Sequence, residues 1–261
     1  MEIQFEKYEG AGNDFILIDN RDHFFREEQN VIAQLCHRRF GIGADGLILL
    51  ENSEQSDFSM RYFNSDGNES TMCGNGGRCI VAFARKKEII HTSTRFMASD
   101  GLHEATINPD NTISLQMQSV KKIQHIGDDF FLDTGSPHYV RFVEKLSQLD
   151  VHQEGRKIRY NRDISKEGTN VNFVKIEKDN SLSIRTYERG VEDETLACGT
   201  GSVASALAAF LRLKTNQWTF TIHARGGLLR VSFKHDSENN NFQDIWLTGP
   251  ANHVFNGSIT I

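Results

Sequence analysis

Two stretches of this chain, about 125 residues apart, carry the same pattern, and a fold that has to build one unit twice is tightly constrained. Ser59-Met60-Arg61-Tyr62-Phe63-Asn64 is echoed by Ser183-Ile184-Arg185-Thr186-Tyr187-Glu188, an offset of 183 − 59 = 124. Glu69-Ser70-Thr71-Met72-Cys73-Gly74-Asn75-Gly76 is matched by Glu194-Thr195-Leu196-Ala197-Cys198-Gly199-Thr200-Gly201, an offset of 198 − 73 = 125. Met97-Ala98-Ser99-Asp100-Gly101-Leu102 is answered by His223-Ala224-Arg225-Gly226-Gly227-Leu228, an offset of 224 − 98 = 126. The first pair reads as strands, by its period-two alternation. The second, E-x-x-x-C-G-x-G, runs each time into a helical pattern: Gly77 to about Lys87 in one copy and Val203 to Leu213 in the other. The later helix is apolar all round, so it has to be buried within its own half. The expected fold is therefore α/β (α+β), with two pseudo-symmetric halves, each a barrel-like sheet wrapped around a central helix.

The halves read as residues 1–118, carrying Cys73, and 119–249, carrying Cys198, with a hinge near Lys121-Lys122-Ile123-Gln124. The strand-like segment 250–261 can return to complete the first half. A pseudo-two-fold relation would bring both helix starts to one interdomain cleft, the expected site for a small molecule.

Composition narrows the job. With 38% hydrophobic and 25% charged residues the chain is an ordinary globular one, and its formal net charge of −6, with lysines and arginines scattered, speaks against a nucleic-acid partner. The start, Met1-Glu2-Ile3-Gln4-Phe5-Glu6-Lys7, lacks the basic and apolar regions of a signal peptide, and no apolar run approaches a bilayer span. The expectation is a cytoplasmic protein with no membrane role. Cys36, Cys73, Cys79 and Cys198 are too few for a disulfide scaffold and in a reducing compartment would stay thiols.

Cysteines at those two repeated places imply chemistry. A thiol where a glycine-rich turn enters a helix sits beside unsatisfied backbone N–H groups and the positive end of the helix dipole, which favours the thiolate and also makes an anion site. Inverting a stereocentre requires taking a proton from one face and delivering one to the other, so two acid/base groups flanking one carbon are the economical arrangement. Helix N-termini would stabilise the charge that develops on a neighbouring carboxylate. Cys36, in the helical run Val31-Ile32-Ala33-Gln34-Leu35-Cys36, and Cys79, inside the first helix, read instead as small buried hydrophobes. His138, in Thr134-Gly135-Ser136-Pro137-His138-Tyr139, reads as a turn residue at the hinge. Gly41-Ile42-Gly43-Ala44-Asp45-Gly46 matches G-x-G-x-x-G, but a helical pattern precedes it and a strand follows, the reverse of a dinucleotide site, so it reads as a structural turn. P-loop, nucleophile-elbow and zinc-ligand spacings are lacking, and neither a cofactor nor a metal is expected.

These residues together resemble the diaminopimelate epimerase family, within a larger group that includes proline racemase-like and phenazine-biosynthesis-like proteins. The carriers are Gly10-Ala11-Gly12-Asn13-Asp14-Phe15, Gly41 to Gly46, Phe63-Asn64-Ser65-Asp66-Gly67, Met72-Cys73-Gly74-Asn75-Gly76-Gly77-Arg78-Cys79, Gly168-Thr169-Asn170-Val171-Asn172-Phe173, and Tyr187-Glu188-Arg189-Gly190 leading to Ala197-Cys198-Gly199-Thr200-Gly201. The resemblance implies interconversion of LL- and meso-2,6-diaminopimelate without pyridoxal phosphate or metal, in the route to lysine and cell-wall precursor, one thiolate abstracting and the other thiol donating. It also implies that Asn13, Asn64, Asn170, Glu188 and Arg189 bind substrate, that Gly74, Asn75, Gly199 and Thr200 cradle the reacting carboxylate, that His138 and Glu188 tune the cysteines, and that the enzyme is a homodimer. Many members have glutamine where this chain has Gly46 and asparagine where it has Ser136, and each departure removes or shortens a substrate contact.

Two rival readings follow from the same residues. A proline or hydroxyproline racemase would also use two cysteines but has no distal zwitterion to bind, and Glu188 beside Arg189 favours the longer substrate. A thiol-redox ligand-binding protein would pair Cys73 with Cys198 as a switchable disulfide.

Overall fold

The repeated pattern folds twice into one order of strands and helices. In the computed structural model, which describes residues 2–239 and 241–261, one unit ends at Leu115 and takes in Gly249–Ile261, and the other is Gln116–Thr248. The first unit carries β1 (Glu2–Gly10), β2 (Asn13–Asp19), helix α1 (Gln29–Cys36), β3 (Gly46–Glu51), β4 (Phe58–Asn64), the short β5 (Glu69–Ser70), helix α2 (Gly74–Lys86), β6 (Ser93–Ala98), β7 (Gly101–Ile107) and the start of β8 (Ile113–Met117). The second carries β9 (Ile123–Ile126), β10 (Asp129–Asp133), β11 (Pro137–Phe142), helix α3 (Val151–Arg159), β12 (Asn170–Ile176), β13 (Ser181–Glu188), the short β14 (Asp193–Thr195), helix α4 (Gly199–Leu213), β15 (Thr219–Ala224), β16 (Gly227–Asp236) and β17 (Asn241–Gly249). The last strand, β18 (Asn252–Thr260), lies antiparallel on β1, with Glu2 opposite Thr260. It does for β1 what β9 does for β10.

The pairings repeat as well. In each unit a first hairpin-like pair is followed by two crossovers in which a helix carries the chain over to a parallel neighbour: β2 to β3 through α1 and β4 to β6 through α2, then β11 to β12 through α3 and β13 to β15 through α4. Parallel neighbours need such crossovers, which is why helices occur where they do. The remaining ladders are antiparallel.

Each sheet curls around its second helix. Helix α2 packs against β1, β2, β3, β7 and β18, and α4 against β10, β11, β12, β13, β15 and β16. A helix touched from so many sides has no wet face, and α4 is buried at Gly199 and throughout Gly201–Phe210. The opposite face of the sheet is covered in part by the first helix of each unit. Ile32, Leu35 and Cys36 of α1 join Ile16, Ile18, Leu47 and Leu49 in one cluster, and Val151 and Ile158 of α3 join Tyr139, Val171, Phe173 and Tyr187 in the other. This double cover explains why Leu47-Ile48-Leu49-Leu50 is an unbroken apolar run: all six residues of β3 are buried.

Both central helices begin earlier than the periodicity suggested. Helix α2 starts at Gly74 and α4 at Gly199, with Cys73 and Cys198 themselves in the N-cap position, extended at φ −86° and −118°. The glycines that read as a turn before each helix are helical residues. Periodicity misses them because glycine adds no apolar signal and disfavours helix by about 1 kcal/mol. Close approach requires them: a Cβ at Gly76 would lie 3.1 Å from Ile48 Cδ1, one at Gly77 2.9 Å from Met72 Sδ, and one at Gly201 2.4 Å from Asn172 Oδ1.

Candidate active site

The N-cap position makes each cysteine's own carbonyl the acceptor of the first helical hydrogen bond: Gly77 N donates to Cys73 O at 2.7 Å, and Ser202 N to Cys198 O at 2.9 Å. Each sulfur therefore stands at the N-terminal end of a buried helix whose first N–H groups have no intrahelical acceptor, a place that favours a thiolate and a bound carboxylate. Cys73 is half-buried and Cys198 buried. Cys36 and Cys79 are both fully buried, and burial pushes the Cys36 thiol up to about 12 and Cys79 higher still, so neither is a nucleophile or base near neutrality.

In the first unit the residues around Cys73 form a polar chain along the start of α2. Asn75 Nδ2 donates to Asn13 Oδ1, while Asn13 Nδ2 donates to Asp45 Oδ2 at 2.9 Å. Arg38 grips Asp14 through two hydrogen bonds, 2.7 and 3.0 Å, and Asp45 through one of 2.7 Å. Burial works to raise the Asp14 carboxyl, but Arg38 and Lys7 outweigh it and hold the group well below the usual range. The asparagine expected to bind substrate is thus oriented by this ionic frame. Arg78, fully buried one turn into α2, donates to Gly74 O at 3.2 Å, Asn75 Oδ1 at 2.8 Å and Pro250 O at 3.2 Å. Asn64 is exposed at the end of β4, directly opposite Gly46 of β3. A Cβ at Gly46 would lie 2.5 Å from Tyr62 Cε2 and 3.1 Å from its hydroxyl, so the Tyr62 ring occupies the space that a longer residue 46 would use.

In the second unit the expected residues converge from three strands and α4. His138 is not a turn residue: it lies in β11, fully buried, because Pro137 opens a strand. Its Nε2 is 2.9 Å from Thr200 Oγ1 and its Nδ1 3.0 Å from Asn172 Nδ2. Cys198 Sγ is 3.5 Å from Thr200 Oγ1, and Thr134 Oγ1 donates to Thr200 O at 2.9 Å. Asn170 makes three hydrogen bonds within the protein: its Nδ2 donates to Ser136 Oγ at 2.9 Å and Pro137 O at 3.1 Å, and its Oδ1 accepts from Arg189 N at 2.8 Å. It staples the Ser136-Pro137 corner to the Glu188-Arg189 end of β13. The sequence alone gives a site role to Asn170 but none to Asn172, Thr134, Arg78 or Tyr62. The available signal for Asn172 was its period-two spacing from Asn170 in an otherwise apolar strand.

Burial, with a smaller push from the Arg189 charge, lowers the His138 pKa from 6.5 to about 3. Because the folded value lies below the unfolded one, the unfolded chain binds more protons between them, and stability is lost as the pH falls from about 6.5 towards 3. His138→Gln is expected to flatten that loss, read as urea midpoints across the window; an equally steep fall in the variant would show that another group titrates there.

No helix among the described residues is long and apolar enough to cross a membrane, and no three of their His, Cys, Asp and Glu side chains are grouped to hold a metal ion.

The architecture is shared with solved structures of low sequence identity. A phenazine biosynthesis PhzF-family protein from Bacillus anthracis superposes with a TM-score of 0.78 over 100% of both chains at 15% identity. A hydroxyproline epimerase from Agrobacterium vitis superposes at 0.69, covering 99% of this chain and 92% of that one at 12% identity. Sequence then narrows the class. The family model for diaminopimelate epimerase matches residues 5–123 and 130–254. A diaminopimelate epimerase from Flavobacterium psychrophilum is 56% identical over 97% of this chain and 98% of its own length, and one from Chlorobaculum tepidum is 46% identical over 97% and 99%. The chain belongs to the diaminopimelate epimerase family.

Proposed function

We propose that the protein interconverts LL- and meso-2,6-diaminopimelate, on the route to lysine and peptidoglycan precursor, with Cys73 and Cys198 as the two acid/base groups. The observation that carries the reading is the matched placing of the two thiols: each is the N-cap of the buried central helix of its own unit, next to glycines that keep the helix start narrow. The relatives' names support the substrate.

One sulfur, as thiolate, takes the proton from the α-carbon, and the other, as thiol, delivers a proton to the opposite face. The electron pair left by the C–H bond is held in the carbon and its carboxylate, and the N–H groups at Gly74, Asn75, Gly199 and Thr200 stabilise that charge. Asn13, Asn64, Asn170, Glu188 and Arg189 read the remaining polar groups of the substrate, where a carboxylate suits an ammonium and an arginine fork suits a carboxylate. His138 and Glu188 support the thiols. The enzyme works in the cytoplasm as a homodimer and needs no cofactor for this chemistry.

Reduced protein incubated with LL-diaminopimelate in deuterated water is expected to give the meso isomer carrying solvent deuterium at one α-carbon. Exchange with proline and none with diaminopimelate would overturn the substrate in favour of a proline racemase-type enzyme.

A further inference from the structure

A buried histidine has to be told which ring nitrogen carries its proton, and here one side chain does so. The amide of Asn172 is oriented by neighbours that leave no choice: Tyr139 O, which can only accept, lies 3.2 Å from Nδ2, and the Thr186 hydroxyl donates to Oδ1 at 3.0 Å. Asn172 Nδ2 is consequently a donor towards His138 Nδ1, 3.0 Å away. A nitrogen that accepts a hydrogen bond carries no proton, so in the neutral ring the proton sits on Nε2. Nε2–H then donates to Thr200 Oγ1 at 2.9 Å. With its oxygen accepting from the ring, the threonine hydroxyl has its own proton to give, and Cys198 Sγ lies 3.5 Å from it.

We propose that Asn172 is a positioning residue that fixes the Nε2–H tautomer of His138, so that a directed chain from His138 through the Thr200 hydroxyl delivers a hydrogen bond to the Cys198 sulfur and stabilises its thiolate. The inference rests on the proposed role of Cys198 and adds Asn172, a fully buried residue that acts through its neighbours. Burial keeps the ring neutral near pH 7, and the charged group acting on it is Arg189, beyond the end of β13. The matching helix positions of the first unit carry other residues: position 75, matching Thr200, is asparagine, and position 78, matching Val203 by 203 − 78 = 125, is the buried Arg78. The two thiols are supported by different devices, a hydroxyl relay at Cys198 and a buried cation one turn from Cys73.

The test reads the thiol directly, so that it does not depend on the substrate assignment. Intact protein is pulsed with iodoacetamide across a pH series, and carboxamidomethylation of the Cys198 peptide is followed by mass spectrometry. Thr200→Val, which keeps shape but loses the hydroxyl, is expected to raise the pH midpoint of Cys198 alkylation by about one unit, the size of one hydrogen bond to an anion. Thr200→Ser should restore the midpoint. Asn172→Asp presents an acceptor to Nδ1, moves the ring proton there, turns Nε2 into an acceptor for the threonine hydroxyl, and should raise the midpoint as Thr200→Val does. The double variant Asn172→Asp with Thr200→Val should shift no further than Thr200→Val alone, and the midpoint for Cys73 should stay in place throughout. An unmoved Cys198 midpoint in folded Thr200→Val, or additive shifts in the double variant, would overturn the relay. Failure of wild-type protein to epimerise diaminopimelate would overturn the functional reading and leave the thiol result standing.

Discussion

Replacing Cys73 or Cys198 with alanine is expected to lower epimerisation by about a thousandfold or more, each variant on its own. A positioned acid or base contributes about 10²–10⁴ in rate, and inversion needs one on each face, so no remaining group substitutes for the loss. The α-hydrogen of an amino acid is only weakly acidic, which puts the whole demand on the helix-start environment of the two sulfurs. The signature goes beyond slow turnover. With one thiol left, the substrate isomer whose hydrogen faces it can still lose that hydrogen and recover a solvent proton on the same face. Deuterium exchange with retention, from one isomer only and from the opposite isomer in the other variant, is therefore expected by mass spectrometry and chiral chromatography. Turnover within about tenfold of wild type in either variant would remove the two-base mechanism, because a single general acid or base accounts for more than that.

The parts of this protein that were readable in its residues are those encoded locally. The spaced echo of E-x-x-x-C-G-x-G, the strands before it and the Val203–Leu213 stretch, apolar on every side, forecast two like units around buried helices, because a period-two or all-round apolar pattern states its own burial. What was not readable depends on contacts between distant segments. His138 follows a Thr-Gly-Ser-Pro run that has the composition of a turn, yet pairing of β11 with β12, His138 opposite Asn170, draws it into the sheet. The helix starts were placed late because glycine reports a neighbour's approach, and the neighbours, Ile48 and Asn172, come from other strands. Gly46 shows the same limit: its lack of a side chain reads as a lost contact until the Tyr62 ring is seen filling the space. Arg78 looked like part of a family pattern, and only its complete burial against Gly74 and Asn75 makes it a component of the Cys73 surroundings.

Gly201→Ala should damage both the stability of the second unit and the placing of Cys198. Helix propensity alone would favour the alanine by about 1 kcal/mol, so the sign depends on what the new carbon meets. It would meet Asn172 Oδ1 at 2.4 Å, and Cys198 Cβ and Sγ each at 3.3 Å. That oxygen cannot swing aside freely, since the same amide accepts from Thr186 and donates to His138 and to Tyr139 O. Either α4 moves away from β12 or the Asn172 amide leaves its partners in a fully buried place. Overpacking of this kind costs about 1–3 kcal/mol, visible as a lower urea midpoint at unchanged slope. The rate should fall by more than the stability suggests, about a hundredfold, because a shift of about 1 Å at the helix start misplaces Cys198 and the N–H groups that hold the carboxylate. Coupling separates the two effects: in Gly201→Ala with Asn172→Ala the clash is relieved, so part of the lost stability should return while the rate stays low. A Gly201→Ala protein as stable and as fast as wild type would mean that α4 and β12 have slack where the structure shows contact, and that Cys198 is not held by the packing at its own helix start.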